Sequence, residues 1–225
     1  MKISKFLSAC VLLASAFTFS SCDSESSGSY STLAFVNYEG SSTDGYSQFV
    51  YNEPNTNSTI TFRSRVTFND GMTPALGTRL LGQFVMVYGE EFKNGSVLEN
   101  QAIYKLSKYS DVSIEALSGF TLSATQLYLQ SIIRAGNYLD IVALADAKNS
   151  ELTLVCDANT LNSGTPVLYL NYETKTSDFS ETQYFASFDI SAVLSQPDVK
   201  SIRLILNNAN GENEFIFSIT ENNKK

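Results

Sequence analysis

Ile60-Thr61-Phe62-Arg63-Ser64-Arg65-Val66-Thr67-Phe68 is the stretch on which the fold turns. Ile60, Phe62, Val66 and Phe68 fall on one side, and Thr61, Arg63, Arg65 and Thr67 on the other. That period of two half-buries a β-strand. Asn69-Asp70-Gly71 then supplies turn chemistry. Downstream, Leu80-Leu81-Gly82-Gln83-Phe84-Val85-Met86-Val87-Tyr88-Gly89 is apolar on both faces around Phe84 to Tyr88. This predicts a central strand, with Gly82 at a bulge or sharp bend. Leu33–Tyr38, Tyr46–Asn52 and Gln101–Ile114 are further strand candidates. Together they make about five strands within roughly 80 residues, the size of a small closed barrel of the OB type.

From Leu117 onward a second series begins. Its predicted strands are Gln126–Ile133, Asn137–Leu144, Glu151–Asp157, Pro166–Glu173, Tyr184–Ser191, Lys200–Asn207 and Glu214–Thr220. Short strands at such regular spacing predict a β-sandwich. Ser191–Gln196, ahead of Pro197, reads as one helical turn capped by Ser191 or Asp189. Asn207–Asn213 reads as a hairpin loop. The expected fold is therefore all-β, an OB-like barrel over residues 32–116 followed by a sandwich over 117–225, with the break near Glu115 to Gly119.

The amino end carries an address. Lys2 and Lys5 precede an apolar stretch from Phe6 to Phe19, too short to cross a bilayer and of signal-peptide size. Phe19-Ser20-Ser21-Cys22 resembles a bacterial lipobox, which makes residues 1–21 a removable signal, Cys22 the acylated first residue and 22–31 a polar tether. Two or three acyl chains on one cysteine hold a protein on a membrane stably. Asp23 and Glu25 resemble the acidic surface-export signals of Bacteroidetes lipoproteins, and read equally as a solvated linker.

Composition excludes much of the remaining chemistry. The 225 residues are 43% hydrophobic, with no histidine, no tryptophan and three cysteines. A chain so rich in apolar residues is not disordered. The missing histidine removes Ser-His-Asp and Cys-His catalysis and His-ligated zinc. With Cys10 lost and Cys22 acylated, Cys156 is the last thiol, expected to be a buried apolar residue beside Leu152 and Leu154. Cleavage before Cys22 leaves 13 basic against 23 acidic residues, a net charge of −10 that disfavours nucleic acid as a partner. Arg63, Arg65, Lys105 and Lys108 read as a solvated face.

Three segments resemble the NigD-like lipoproteins of Bacteroidetes. These are Gly77-Thr78-Arg79-Leu80-Leu81-Gly82-Gln83-Phe84-Val85-Met86-Val87-Tyr88, Gly136-Asn137-Tyr138-Leu139-Asp140-Ile141 and Phe185-Ala186-Ser187-Phe188-Asp189-Ile190. The second is similar to the family's Gly-x-Tyr-Leu-Asn-Ile stretch, and the third to its Ser-Phe-Asp-Leu strand. The resemblance implies an N-terminal OB-type domain followed by a C-terminal sandwich in an outer-membrane lipoprotein, and it carries over no catalytic residues. The family name comes from a bacteriocin-associated operon. A histidine common in the family before the strand that corresponds to Leu152–Val155 is missing here.

No phosphate-binding or nucleophile-elbow motif follows a strand, and no cofactor or metal site is expected. The loop from Asn207 to Glu212 lacks the alternating acids of a calcium loop. The leading expectation is a non-catalytic envelope binding module, partnered by the membrane through Cys22 and by a protein or glycan. A surface glycan-binding lipoprotein is the alternative, for which Tyr46, Tyr51, Asn52, Tyr109, Tyr172 and Tyr184 are candidate contacts. A histidine-independent glycoside hydrolase is the second, using Glu90 and Glu91 or Asp140 and Asp189. Asp140 also reads as a hydrogen-bonded inward acid.

Overall fold

The computed structural model describes residues 28–68, 73–118, 120–146, 148–175, 182–208 and 210–219. The signal segment, Cys22, Asp23 and Glu25, the Asn69-Asp70-Gly71 turn and Thr220 lie outside those residues.

The first five strands are β1 (Ser29–Ser41), β2 (Ser47–Asn52), β3 (Thr59–Arg65), β4 (Arg79–Val87) and β5 (Val97–Tyr104). They close into a barrel in the order β1-β2-β3-β5-β4. β1 starts inside the stretch read as tether, and its 13 residues serve two neighbours. Ser29 to Asn37 pair with β4, and Val36 to Ser41 with β2. Val36, Phe49, Phe62, Leu80 and Phe84 fill the interior. Phe62 lies buried while Arg63 and Arg65 face out, as the alternation predicts.

The single strand expected over 101–114 is corrected. Pairing of β5 with β4 runs to Tyr104, and two short strands follow, β6 (Lys108–Asp111) and β7 (Ser113–Glu115). β6 pairs in parallel with β12 (Thr182–Asp189), and β7 in parallel with β10 (Ser150–Asp157). Between them Val112 is buried and donates its amide to the Asp189 carbonyl at 2.9 Å. The chain changes sheets there, so hydrogen bonding of the sandwich begins upstream of residue 117.

The remaining strands are β8 (Tyr128–Ala135), β9 (Tyr138–Ala145), β11 (Val167–Thr174), β13 (Ser201–Asn208) and β14 (Gly211–Ser218). They build two sheets, β14-β13-β11-β10-β7 and β6-β12-β9-β8. Leu139, Ile141, Phe188, Leu154, Leu168 and Leu204 pack between them, and Cys156 is fully buried there. The expected helical turn is α1 (Ser191–Leu194), with Ile190 and no capping side chain at its N-cap. The Asp189 carboxylate instead accepts from the Ser191 amide at 2.8 Å. The last hairpin is tighter than expected, since Asn208 already pairs with Gly211.

Candidate functional site

The seam between barrel and sandwich is built from polar side chains. Arg79 stands at the start of β4, opposite Asn37 of β1. Its Nη2 donates to Asp140 Oδ2 at 2.6 Å, its Nη1 to Asn37 Oδ1 at 2.6 Å and its Nε to Ser187 Oγ at 3.3 Å. Ser187 Oγ donates to the other Asp140 oxygen at 2.6 Å. The guanidinium lies 4.2 Å from the Tyr138 ring centre, and the Tyr138 hydroxyl accepts from Asn37 Nδ2 at 2.8 Å. Arg79 is 2% and Asp140 5% exposed. Burial pushes the Asp140 carboxyl toward its protonated form, while Arg79 and Ser187 pull the other way.

This cluster gives the three family-like segments a physical meaning. Arg79 comes from the first, Tyr138 and Asp140 from the second and Ser187 from the third. Gly136, which opens the second, has φ +58°, and a Cβ there would sit 2.7 Å from Asn52 Oδ1. The loop between β2 and β3 docks on that hairpin: Asn55 N donates to Arg134 O at 2.6 Å and Gly136 N to Thr56 O at 3.1 Å. The motif residues weld two units together, and their polar atoms are turned on one another.

An open feature lies elsewhere in the barrel. A cleft of about 150 Å³ enters the core beside the first half of β1, between Tyr30, Thr32, Tyr51, Phe84 and Phe92. Phe92 belongs to the loop between β4 and β5, which is held in place because Asn94 Oδ1 accepts from Thr61 N at 2.8 Å and Gly95 N donates to Thr61 O at 2.8 Å. The Phe92 ring is thereby fixed 5.7 Å from Tyr51 and 5.4 Å from Phe62. Met86, Phe92 and Leu98 also line an adjoining groove of about 550 Å³, edged by Glu90, Glu91 and Glu99 against Lys93. Burial foremost pushes the Tyr51 phenol up, with Glu53 and Asp140 adding and Arg79 opposing, so it stays a protonated donor. An aromatic recess beside a carboxylate-edged groove can hold an apolar group and hydrogen-bond a polar one next to it.

The tyrosine and asparagine candidates do not converge on one site. Tyr51 lines the cleft. Tyr46 is covered by Arg63 and Arg65, whose guanidinium carbons stand 5.3 and 4.7 Å from its ring centre. Tyr109 is 45% exposed on β6, level with Ser187 at the seam. Asn52 is 8% exposed, beneath Gly136. Tyr172 and Tyr184 are corrections: both are 2% exposed in the sandwich core and offer no ring face to a ligand. Of the basic face, Arg63 pairs with Asp44 and Lys108 with Glu151. Asp140, with both oxygens engaged, and Asp189, bonded to Ser191 N, present no open carboxylate pair. Glu90 and Glu91 do line the groove. Phe92, which lines both the cleft and the groove, carried no signal in the sequence because it sits in a loop without strand alternation.

Among the described residues no group of three or more acidic or cysteine side chains is placed to hold a metal ion. No helix among them is long and apolar enough to cross a membrane.

No family model matches the sequence, and no curated protein matches it. Solved structures do. The chain is similar to a protein of unknown function from Bacteroides vulgatus, with a TM-score of 0.61 at 16% identity over 86% of this chain and 92% of that one. It is similar to a candidate lipoprotein from Bacteroides fragilis, with a TM-score of 0.56 at 14% identity over 85% and 100%. It is also similar to a NigD-like immunity protein from Bacteroides caccae, with a TM-score of 0.55 at 13% identity over 83% and 96%. At these identities the likeness is one of fold, and it runs through both barrel and sandwich.

Proposed function

We propose that this chain is a non-catalytic, NigD-like lipoprotein of the cell envelope, acylated on Cys22, held at the outer membrane and contacting its partner through the aromatic cleft of an OB-type barrel. The observation that carries this reading is the lipobox-like Phe19-Ser20-Ser21-Cys22 joined to a fold similar to those of a candidate lipoprotein and a NigD-like immunity protein. The barrel order β1-β2-β3-β5-β4 supports the OB-type assignment. The cleft is the contact site because the seam's polar groups are spent on one another, whereas Tyr51 and Phe92 border open space.

Mass spectrometry of the membrane-extracted protein tests the anchor, with a diacylglycerol-modified Cys22 expected at the new amino terminus. Crosslinking in intact envelopes tests the site. A partner band should form with the native chain, vanish with Phe92→Ala and Tyr51→Ala, and survive Ile216→Ala on the sandwich. Turnover of a glycan lost on Glu90→Gln or Glu91→Gln would replace this reading with a hydrolase. Proteinase shaving of intact cells assigns the membrane face.

A further inference from the structure

β1 starts at Ser29, seven residues after Cys22. An extended chain advances at most ~3.6 Å per residue, so an acyl group on Cys22 holds Ser29 within about 25 Å of the bilayer. The strand register fixes what else is held there. Ser29 pairs with Val87 across β1 and β4, and the Val85–Glu99 pair sets Val97 of β5 level with Val87. Tyr88 follows directly, its amide donating to the Gly28 carbonyl at 2.7 Å and its ring 4.8 Å from Tyr30. Val87, Tyr88 and Val97 are 38%, 62% and 52% exposed. Three of the fold's exposed large apolar side chains thus gather where the tether joins the barrel. Eight residues farther along β1, about 26 Å of strand, Asn37 and Arg79 meet the sandwich.

We propose that this end of the barrel rests on the bilayer, with Val87, Tyr88 and Val97 at the lipid–water interface and the sandwich held away from it. Tyrosine suits that boundary, its ring in the apolar layer and its hydroxyl in the wet one. Three valine and tyrosine side chains bind a membrane weakly by themselves; the tether makes the contact by keeping their effective concentration high. Glu90, Glu91 and Glu99 outnumber Lys93 at the adjoining groove, so the contact does not draw on anionic lipid. The groove and the aromatic cleft then open beside the lipid surface, and a partner reaching them is itself at the membrane.

The inference rests on acylation of Cys22, and the test separates the two. Val97→Cys and Ile216→Cys chains, full length and processed, carry a nitroxide each in phosphatidylcholine vesicles; Cys156 is buried and stays unlabelled. Mass spectrometry of the same samples reads the acyl group. With Cys22 acylated, the label at 97 should lose collisions with a water-soluble nickel chelate severalfold and gain collisions with oxygen, while the label at 216 stays open to the chelate. Equal access of the chelate to both labels overturns the orientation and leaves the anchor standing. Loss of collisions with both reagents at 97 means a protein covers that face, a second copy or a partner, and also overturns it. An unacylated Cys22 removes the anchor and this inference together.

Discussion

At the scale of single residues, burial decides what each reactive group can do. Cys156 is the lone thiol among the described residues, and burial together with Asp157 pushes it up to about 11. The thiolate is the reactive form, so at pH 8 only about one molecule in a thousand presents it even before access is considered. Iodoacetamide should leave Cys156 unmodified in the native protein at pH 8 and alkylate it fully in denaturant, read by peptide mass spectrometry; rapid native alkylation of Cys156 would mean the sandwich core is open. Asp140 poses the converse problem, an acid that stays buried because Arg79 and Ser187 satisfy both its oxygens. Asp140→Ala strands the Arg79 guanidinium in a dry site, at an expected cost of about 3–5 kcal/mol in denaturant unfolding. The double change Asp140→Leu with Arg79→Met removes both charges and should cost clearly less. Equal losses for the single and double variants would show that an unpaired Arg79 guanidinium carries no penalty in this site.

At the scale of elements, β4 shows how one strand answers to several constraints. Its inward residues line the barrel, while on its outer side Arg79 bonds to Asp140 of the sandwich and Leu81 is buried. Gly82 sits inside because the Phe84 ring folds back over it, and an added Cβ would lie 2.2 Å from that ring. Gly82→Ala must displace Phe84, which touches Phe49 and Phe62 in turn. Overpacking of this kind costs about 1–3 kcal/mol, read as a lowered midpoint in urea. An unchanged midpoint would mean that the ring has somewhere else to go. The ladder register shifts next to this glycine, between Gln83 and Phe84, close to where the sequence predicts a bulge. β9 and β10 were legible to within one residue at each end, and β3 at its start, because apolar residues recur at every second position, whereas β3 stops at Arg65, three residues short of the expected Phe68. The run from 101 to 114 was misread because two strands in different sheets, β6 and β7, are separated only by Val112, and local alternation carries no information about which sheet a strand joins. The seam was half legible. Asp140 stood out as a hydrogen-bonded inward acid, but its partner lies 61 residues away, and only the docking of two units brings Arg79 to it. The cleft was least legible, since Phe92 reaches it from a loop whose position depends on Asn94 and Thr61.

At the scale of the whole molecule, the question is whether barrel and sandwich fold as one. Among the described residues the sandwich core has 20 buried apolar side chains and the barrel core seven, so the barrel alone is the weaker unit. Its stability is expected to draw on the seam, where the Arg79–Asp140 pair and the loop between β2 and β3 cross from one unit to the other. Gly136 is the point at which this coupling can be cut with least harm to either core. Its φ of +58° strains any β-branched residue, and a side chain there runs into Asn52 of the barrel. The native chain should therefore unfold in a single calorimetric transition whose van't Hoff and calorimetric enthalpies agree. Gly136→Val should divide it into two, the smaller and earlier one belonging to the barrel. Hydrogen exchange at intermediate temperature then checks the assignment, with the β1 to β5 amides exchanging while β9 to β13 remain protected. A single transition moved downward as a whole would show instead that the barrel needs no support from the sandwich beyond that surviving the variant.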